Sequence, residues 1–196
     1  MKYPDFFENV ETIKVYDPLA EFLGSFENGI IEYSFVDIVK SAGHGCLTVA
    51  GAYLATLSAL KELYGNKLPE RGKIKVELPQ SQQEDTQGVI ASVISHITGA
   101  TSDWGFKGLG GKFSRVNLMF FNCPIQSFAR FTRIDTGKSV DVFYNPREIA
   151  SPGNLLKEML STNPQSKMFK NLQNQWLSLV KTVLENKEKV ITVKEV

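Results

Sequence analysis

The chain has 196 residues, 42% hydrophobic and 22% charged, which suits a folded domain and excludes a disordered one. Twenty-two basic residues against 21 acidic ones leave a net charge of +1, so no large field favours nucleic acid or an acidic membrane surface. Two cysteines, Cys46 and Cys123, exclude a disulfide scaffold and a four-cysteine zinc knuckle.

Residues 1–29 hold two aromatic-rich amphipathic pieces, around Phe6-Phe7 and Leu19-Phe22-Leu23, divided by Asp17-Pro18. Both are expected as short helices ending near Gly24 and Gly29. Residues 35–41 read as a short helix running into Gly43. From Gly45 to Tyr64 the periodicity is the strongest in the chain, with Cys46, Ala50, Tyr53, Leu57, Leu60 and Tyr64 on one helical face. Gly51, Ala55 and Ala59 form a second stripe of small residues, which lets another helix approach closely.

Lys73–Leu78 alternates apolar and charged residues and reads as a half-buried strand stopped by Pro79. A helix follows from about Thr86 to Ile97, and its small residues Gly88, Ala91, Ser92 and Ser95 are expected to meet the small stripe of the earlier helix. Gly99 to Lys112 is a glycine-rich loop that needs unusual backbone angles or a close approach to something. Residues 114–121, 125–134 and 140–144 read as strands, the last two joined by the turn Asp135-Thr136-Gly137-Lys138. After Pro146 the chain turns helical, over 153–160 and 166–186, and the tail around Val190–Val193 reads as an edge strand. Runs of helices and antiparallel strands without strict βαβ alternation point to an α+β domain, helices packed on a mostly antiparallel sheet. No leader pattern and no run of eighteen apolar residues are present, so the expected setting is the reducing cytoplasm, away from membranes.

The chemistry concentrates at Gly43-His44-Gly45-Cys46. His44 is one of only two histidines and stands two residues from one of only two cysteines, in a glycine-flanked turn that opens a helix. A helix N-terminus favours a thiolate, and a thiolate and an imidazole at i and i+2 can share a borderline-soft metal ion. The same residues also fit a plain reading, Cys46 as the first small residue of the stripe and His44 as a loop residue. His96, in the last turn of its helix, reads as a dipole partner at the surface or as a site residue. Asp103-Trp104 could supply a carboxylate and a ring to a pocket, and Lys107 and Lys112 could contact an anion or stay solvated. The glycine-rich loop is not a Walker pattern and runs toward a strand, which removes a helix-terminal phosphate site. Cys123 reads as a small buried filler.

Ala42-Gly43-His44-Gly45-Cys46, followed by Ala50-Gly51-Ala52-Tyr53 and a long helix, resembles the FmdE family, named for its association with formylmethanofuran dehydrogenase. The family motif is a His-Gly-His-x-Cys-Pro-Gly turn entering a helix. The likeness extends over a core of about 30–145, through Thr98-Gly99, Gly111-Lys112 and Thr136-Gly137-Lys138. It leaves an N-terminal helical segment, 1–29, and a C-terminal helical extension, 147–196. Ala42 replaces the first histidine, Leu47-Thr48 stands where Pro-Gly is usual, and Val89, Ser92 and Ala100 stand where the family tends to have Cys, Asp and Cys. The C-terminal zinc finger of some members is absent.

The resemblance implies a divalent metal, zinc or nickel, on His44 and Cys46, with Asp103 and His96 as further candidate ligands. It also implies a homodimer, since the family's core domains tend to pair. Two protein ligands leave the site open to water, a small-molecule ligand or a second copy of the chain, as an accessory role in metalloenzyme metabolism would need. The alternatives are a thiol enzyme with Cys46 as nucleophile and a histidine as base, or an interaction module without chemistry. Thirteen phenylalanines fill a core or line a site for a flat cofactor such as haem.

Overall fold

The computed structural model describes residues 2–196, which form an α+β fold with helices packed against a sheet. The main sheet joins β3 (Ile74–Glu77), β4 (Met119–Phe120), β5 (Ala129–Arg133), β6 (Ser139–Tyr144) and β7 (Ile191–Glu195) in the order β4-β3-β5-β6-β7. Only the β3–β4 pair is parallel. Ile74, Val76, Phe131, Val140 and Val142 are fully buried on one face, and there the sheet meets α3 (Leu47–Tyr64). The other face carries polar pairs such as Arg130 and Asp141, which stand opposite each other and share two hydrogen bonds of 2.9 and 2.8 Å.

Helix α3 is covered on all sides: by the sheet, by α2 (Phe35–Ala42), by α4 (Gln87–Thr98) and by α6 (Lys167–Glu185). Its small stripe does not admit a helix at Gly51. A Cβ there would overlap the ring of Tyr144 from β6, whose hydroxyl donates to Leu47 O at 2.8 Å. The absent side chain is what lets the sheet approach this helix.

Two strands occupy the stretch expected as helical and the residues just after it. β1 (Ile13–Tyr16) pairs antiparallel with β2 (Ile30–Tyr33) around α1 (Pro18–Phe22), while Asp5–Phe7 and Glu27–Gly29 make single 3-10 turns. Tyr53 of α3 fastens this unit, its hydroxyl reaching both Glu11 O (2.7 Å) and Tyr33 O (3.1 Å). The strand expected over 114–121 shrinks to Met119–Phe120. Phe113 (φ 63°) and Asn117 (φ 58°) adopt the left-handed conformation, which interrupts an extended run, and Arg115 between them turns into the protein. Strand β5 starts four residues later than expected, after a bent stretch following Pro124. In the C-terminal region α5 (Leu155–Ser161) and α6 form as expected, α7 (Lys187–Val190) adds one turn, and the tail closes the sheet as edge strand β7.

Candidate functional site

The turn that carries His44 and Cys46 is built from both flanks. Ser34 caps α2 in a reciprocal box with Asp37, and the helix ends in a left-handed Gly43. Cys46 is the N-cap of α3, its Sγ accepting from Val49 N at 3.4 Å. The indole of Trp176, on α6, donates to Gly45 O at 3.2 Å, and Phe7 packs so closely that a Cβ on Gly45 would lie 2.9 Å from its ring. His44 is exposed; its Nδ1 lies 3.0 Å from Ala42 O. A carbonyl can only accept, so Nδ1 carries a proton and Nε2 is the ring nitrogen left for another partner.

His96 lies elsewhere. It is half-buried on α4, its Nδ1 3.3 Å from the hydroxyl of Ser41 and its ring edge-on to Tyr33 at 5.3 Å. Burial, helped by the nearby charge of Arg71, holds its pKa below the ordinary 6.5. It is therefore neutral at pH 7, and the expected role as a charged dipole partner does not apply. Asp103 is exposed and accepts from Ser102 Oγ at 3.1 Å. Among the described residues no group of three or more His, Cys, Asp or Glu side chains is gathered closely enough to hold a metal ion. Cys123 is half-buried, and burial raises its thiol pKa.

A concavity of about 540 Å³ lies between α4 and the glycine-rich loop. Gly88, Ala91, Ser92 and Ser95 line it from α4. Helix α4 packs against α3, and these small residues also border the open space. Trp104 and Phe106 stand over the cavity from the loop, 53% and 39% exposed, and Met119 and Phe121 add apolar wall. His96 and Gln82 supply polar atoms.

One wall is a buried ion cluster that the sequence does not announce. Asp17 (3% exposed) receives Arg71 at 2.9 Å and Arg115 at 2.6 Å, and Arg115 also donates to Arg71 O. Arg71 further donates to Ile97 O and His96 O, both at 3.2 Å. Burial alone would raise the Asp17 pKa, but the Arg71 hydrogen bond and the Arg115 charge outweigh it and hold the carboxyl below its ordinary value. The Arg115 guanidinium passes so close to Gly72 (φ 86°) that a Cβ there would overlap it. Two guanidiniums share one carboxylate, so the cluster keeps one positive charge. It borders a second cavity of about 430 Å³ on its other side. An Asp-Pro at a helix start and two scattered arginines give no sequence signal of this convergence across 98 residues.

No protein-family model matches the chain, and no curated protein is similar to it in sequence.

Proposed function

We propose that this protein binds a small flat organic anion in the cavity between α4 and the glycine-rich loop. The wall composition carries the reading. The ionised groups lining the cavity are the guanidiniums of Arg71 and Arg115, no carboxylate lines it among the described residues, and two exposed aromatic rings overhang it. Its size suits a molecule of one or two rings, and the small residues of α4 that line it admit a flat face. Neutral His96 can donate to or accept from a carboxylate or carbonyl of the ligand. Thermal shift with benzoate, indole-3-acetate and 2-naphthoate tests the reading. We expect stabilisation by the acids, less by their neutral alcohols, and none in Ser92→Trp, which fills the cavity from α4. Equal shifts in wild type and Ser92→Trp would refute it.

A second reading follows the FmdE resemblance: a zinc or nickel ion on His44 and Cys46. The observation favouring it is the Ala42 carbonyl on His44 Nδ1, the arrangement that orients a ligating imidazole. The remaining ligands would come from water, a small molecule or a second copy of the chain. The dimer invoked in that reading needs a basis other than the one read from the sequence, because the α3 stripe is buried within one chain and Trp176 is half-covered. Exposed apolar residues include Phe22, Leu23 and Phe26 near α1 and Leu156, Leu160 and Met168 in the C-terminal helical region. Metal content of purified wild type, His44→Ala and Cys46→Ser tests the metal, and equal content in all three would remove it. Light scattering of Phe22→Glu beside wild type tests the dimer.

A further inference from the structure

We propose that the 430 Å³ cavity behind the arginine cluster is a separate binding site for a dianionic phosphate group. Arg71, Arg115, Lys73 and Lys112 line it, against the single carboxylate of Glu70. Asp17 already satisfies the arginines' inner faces, while Lys73 and Lys112 make no ion pair among the described residues. Four cations around a space this size leave an excess of positive charge, and a low-dielectric wall strengthens its attraction for an anion.

The backbone of the loop points to the same ligand. Gly110, Gly111 and Phe113 take positive φ values of 53°, 78° and 63°, and the N–H groups of Gly111, Phe113 and Ser114 have no acceptor among the described residues. Gly111, Phe113 and Ser114 all line the cavity. Unpaired amides gathered where left-handed residues turn the backbone form an anion-binding concavity, independent of any helix N-terminus. A left-handed phenylalanine is a strained conformation. The contact of Phe113 with Phe22, at 5.4 Å between ring centres, holds it there. The phosphate would sit between Lys73 and Lys112 against the loop amides, with the arginine cluster behind it. This site does not rest on the aromatic cavity: Lys73, Lys112 and Ser114 line only the former, Ser92 and Trp104 only the latter.

The test is calorimetric titration of inorganic phosphate and of phenyl phosphate at fixed ionic strength, with chloride as the matched control. We expect one site per chain for wild type. Affinity should fall at least tenfold in the Lys73→Ala/Lys112→Ala double variant and stay unchanged in Lys75→Ala, whose lysine pairs with Glu77 on the sheet. Ser92→Trp should also leave it unchanged, which separates this site from the aromatic cavity. Tighter binding of phenyl phosphate supports a phosphate monoester as the natural ligand, and equal binding supports free phosphate. Absence of phosphate-specific heat, or equal affinity in the double variant, overturns the proposal.

Discussion

Removing the charge of Asp17 should destabilise the protein strongly, because it sits buried between two guanidiniums. Asp17→Asn keeps an oxygen for the cap of α1, where Asp17 Oδ1 accepts from Leu19 N (2.9 Å) and Ala20 N (3.3 Å), but leaves two guanidiniums facing each other. Arg115 and Asp17 side chains are 6% and 5% exposed, so solvent offers little relief. Removing one partner of a buried pair costs about 3–5 kcal/mol. Arg71, at 22% exposed, can relax toward water, which favours the lower end, about 3 kcal/mol for Asn. Asp17→Ala also loses the cap and should cost about 1 kcal/mol more. In a domain of this size the Asn variant should melt about 6–12 °C lower, at about 2–4 °C per kcal/mol. Urea unfolding at pH 7 followed by circular dichroism measures the loss of stability, and thermal melts measure the shift. The folded carboxyl has a lowered pKa, so its stabilisation is complete above the unfolded value of 3.8 and is lost as pH falls through the folded one. The wild type should therefore converge on Asp17→Asn in acid. An Asn variant within 1 kcal/mol of wild type at pH 7, or a gap that persists in acid, would refute the reasoning.

His96 also has a lowered folded pKa, so its neutral form stabilises above pH 6.5 and stability should drop as pH falls below that value, a drop absent in His96→Gln; parallel pH profiles would count against it. Gly51→Ala should destabilise by about 1–3 kcal/mol by pushing Tyr144 off Leu47 O, measured by thermal melts, whereas an unchanged melting temperature would show that the sheet can retreat. Cys46→Ser should keep its stability, since serine caps a helix well, and in wild type Cys46 should react faster than Cys123, whose thiol burial suppresses. Thiol labelling followed by peptide mapping checks the order of reaction.

The helices are legible because their signals are local. Gly43, Cys46 and Gly65 bracket α2 and α3, while the four-three spacing from Ala50 to Tyr64 marks only one face of a helix that is buried nearly all round. β1 and β2 escape notice because each is four residues long and β2 alternates exposed with only half-buried residues, so no fully buried face marks it. The strand expected over 114–121 misleads because Arg115 and Asn117 alternate with apolar neighbours as a half-buried strand would, while a long-range ion pair decides their conformation. The site is half visible. His44, Cys46 and Trp104 stand where local pattern places them, at a capped turn and over a cavity. Ser92, Arg71 and Arg115 acquire meaning only through contacts between distant segments, which spacing along a single chain does not encode.

Selection of a flat organic anion by the α4 cavity is measurable by titration calorimetry of 2-naphthoate against its neutral analogue 2-naphthylmethanol. We expect one naphthoate per chain, the alcohol at least tenfold weaker, and no naphthoate heat in a folded Ser92→Trp variant. Equal binding of acid and alcohol, or undiminished binding in Ser92→Trp, would contradict it.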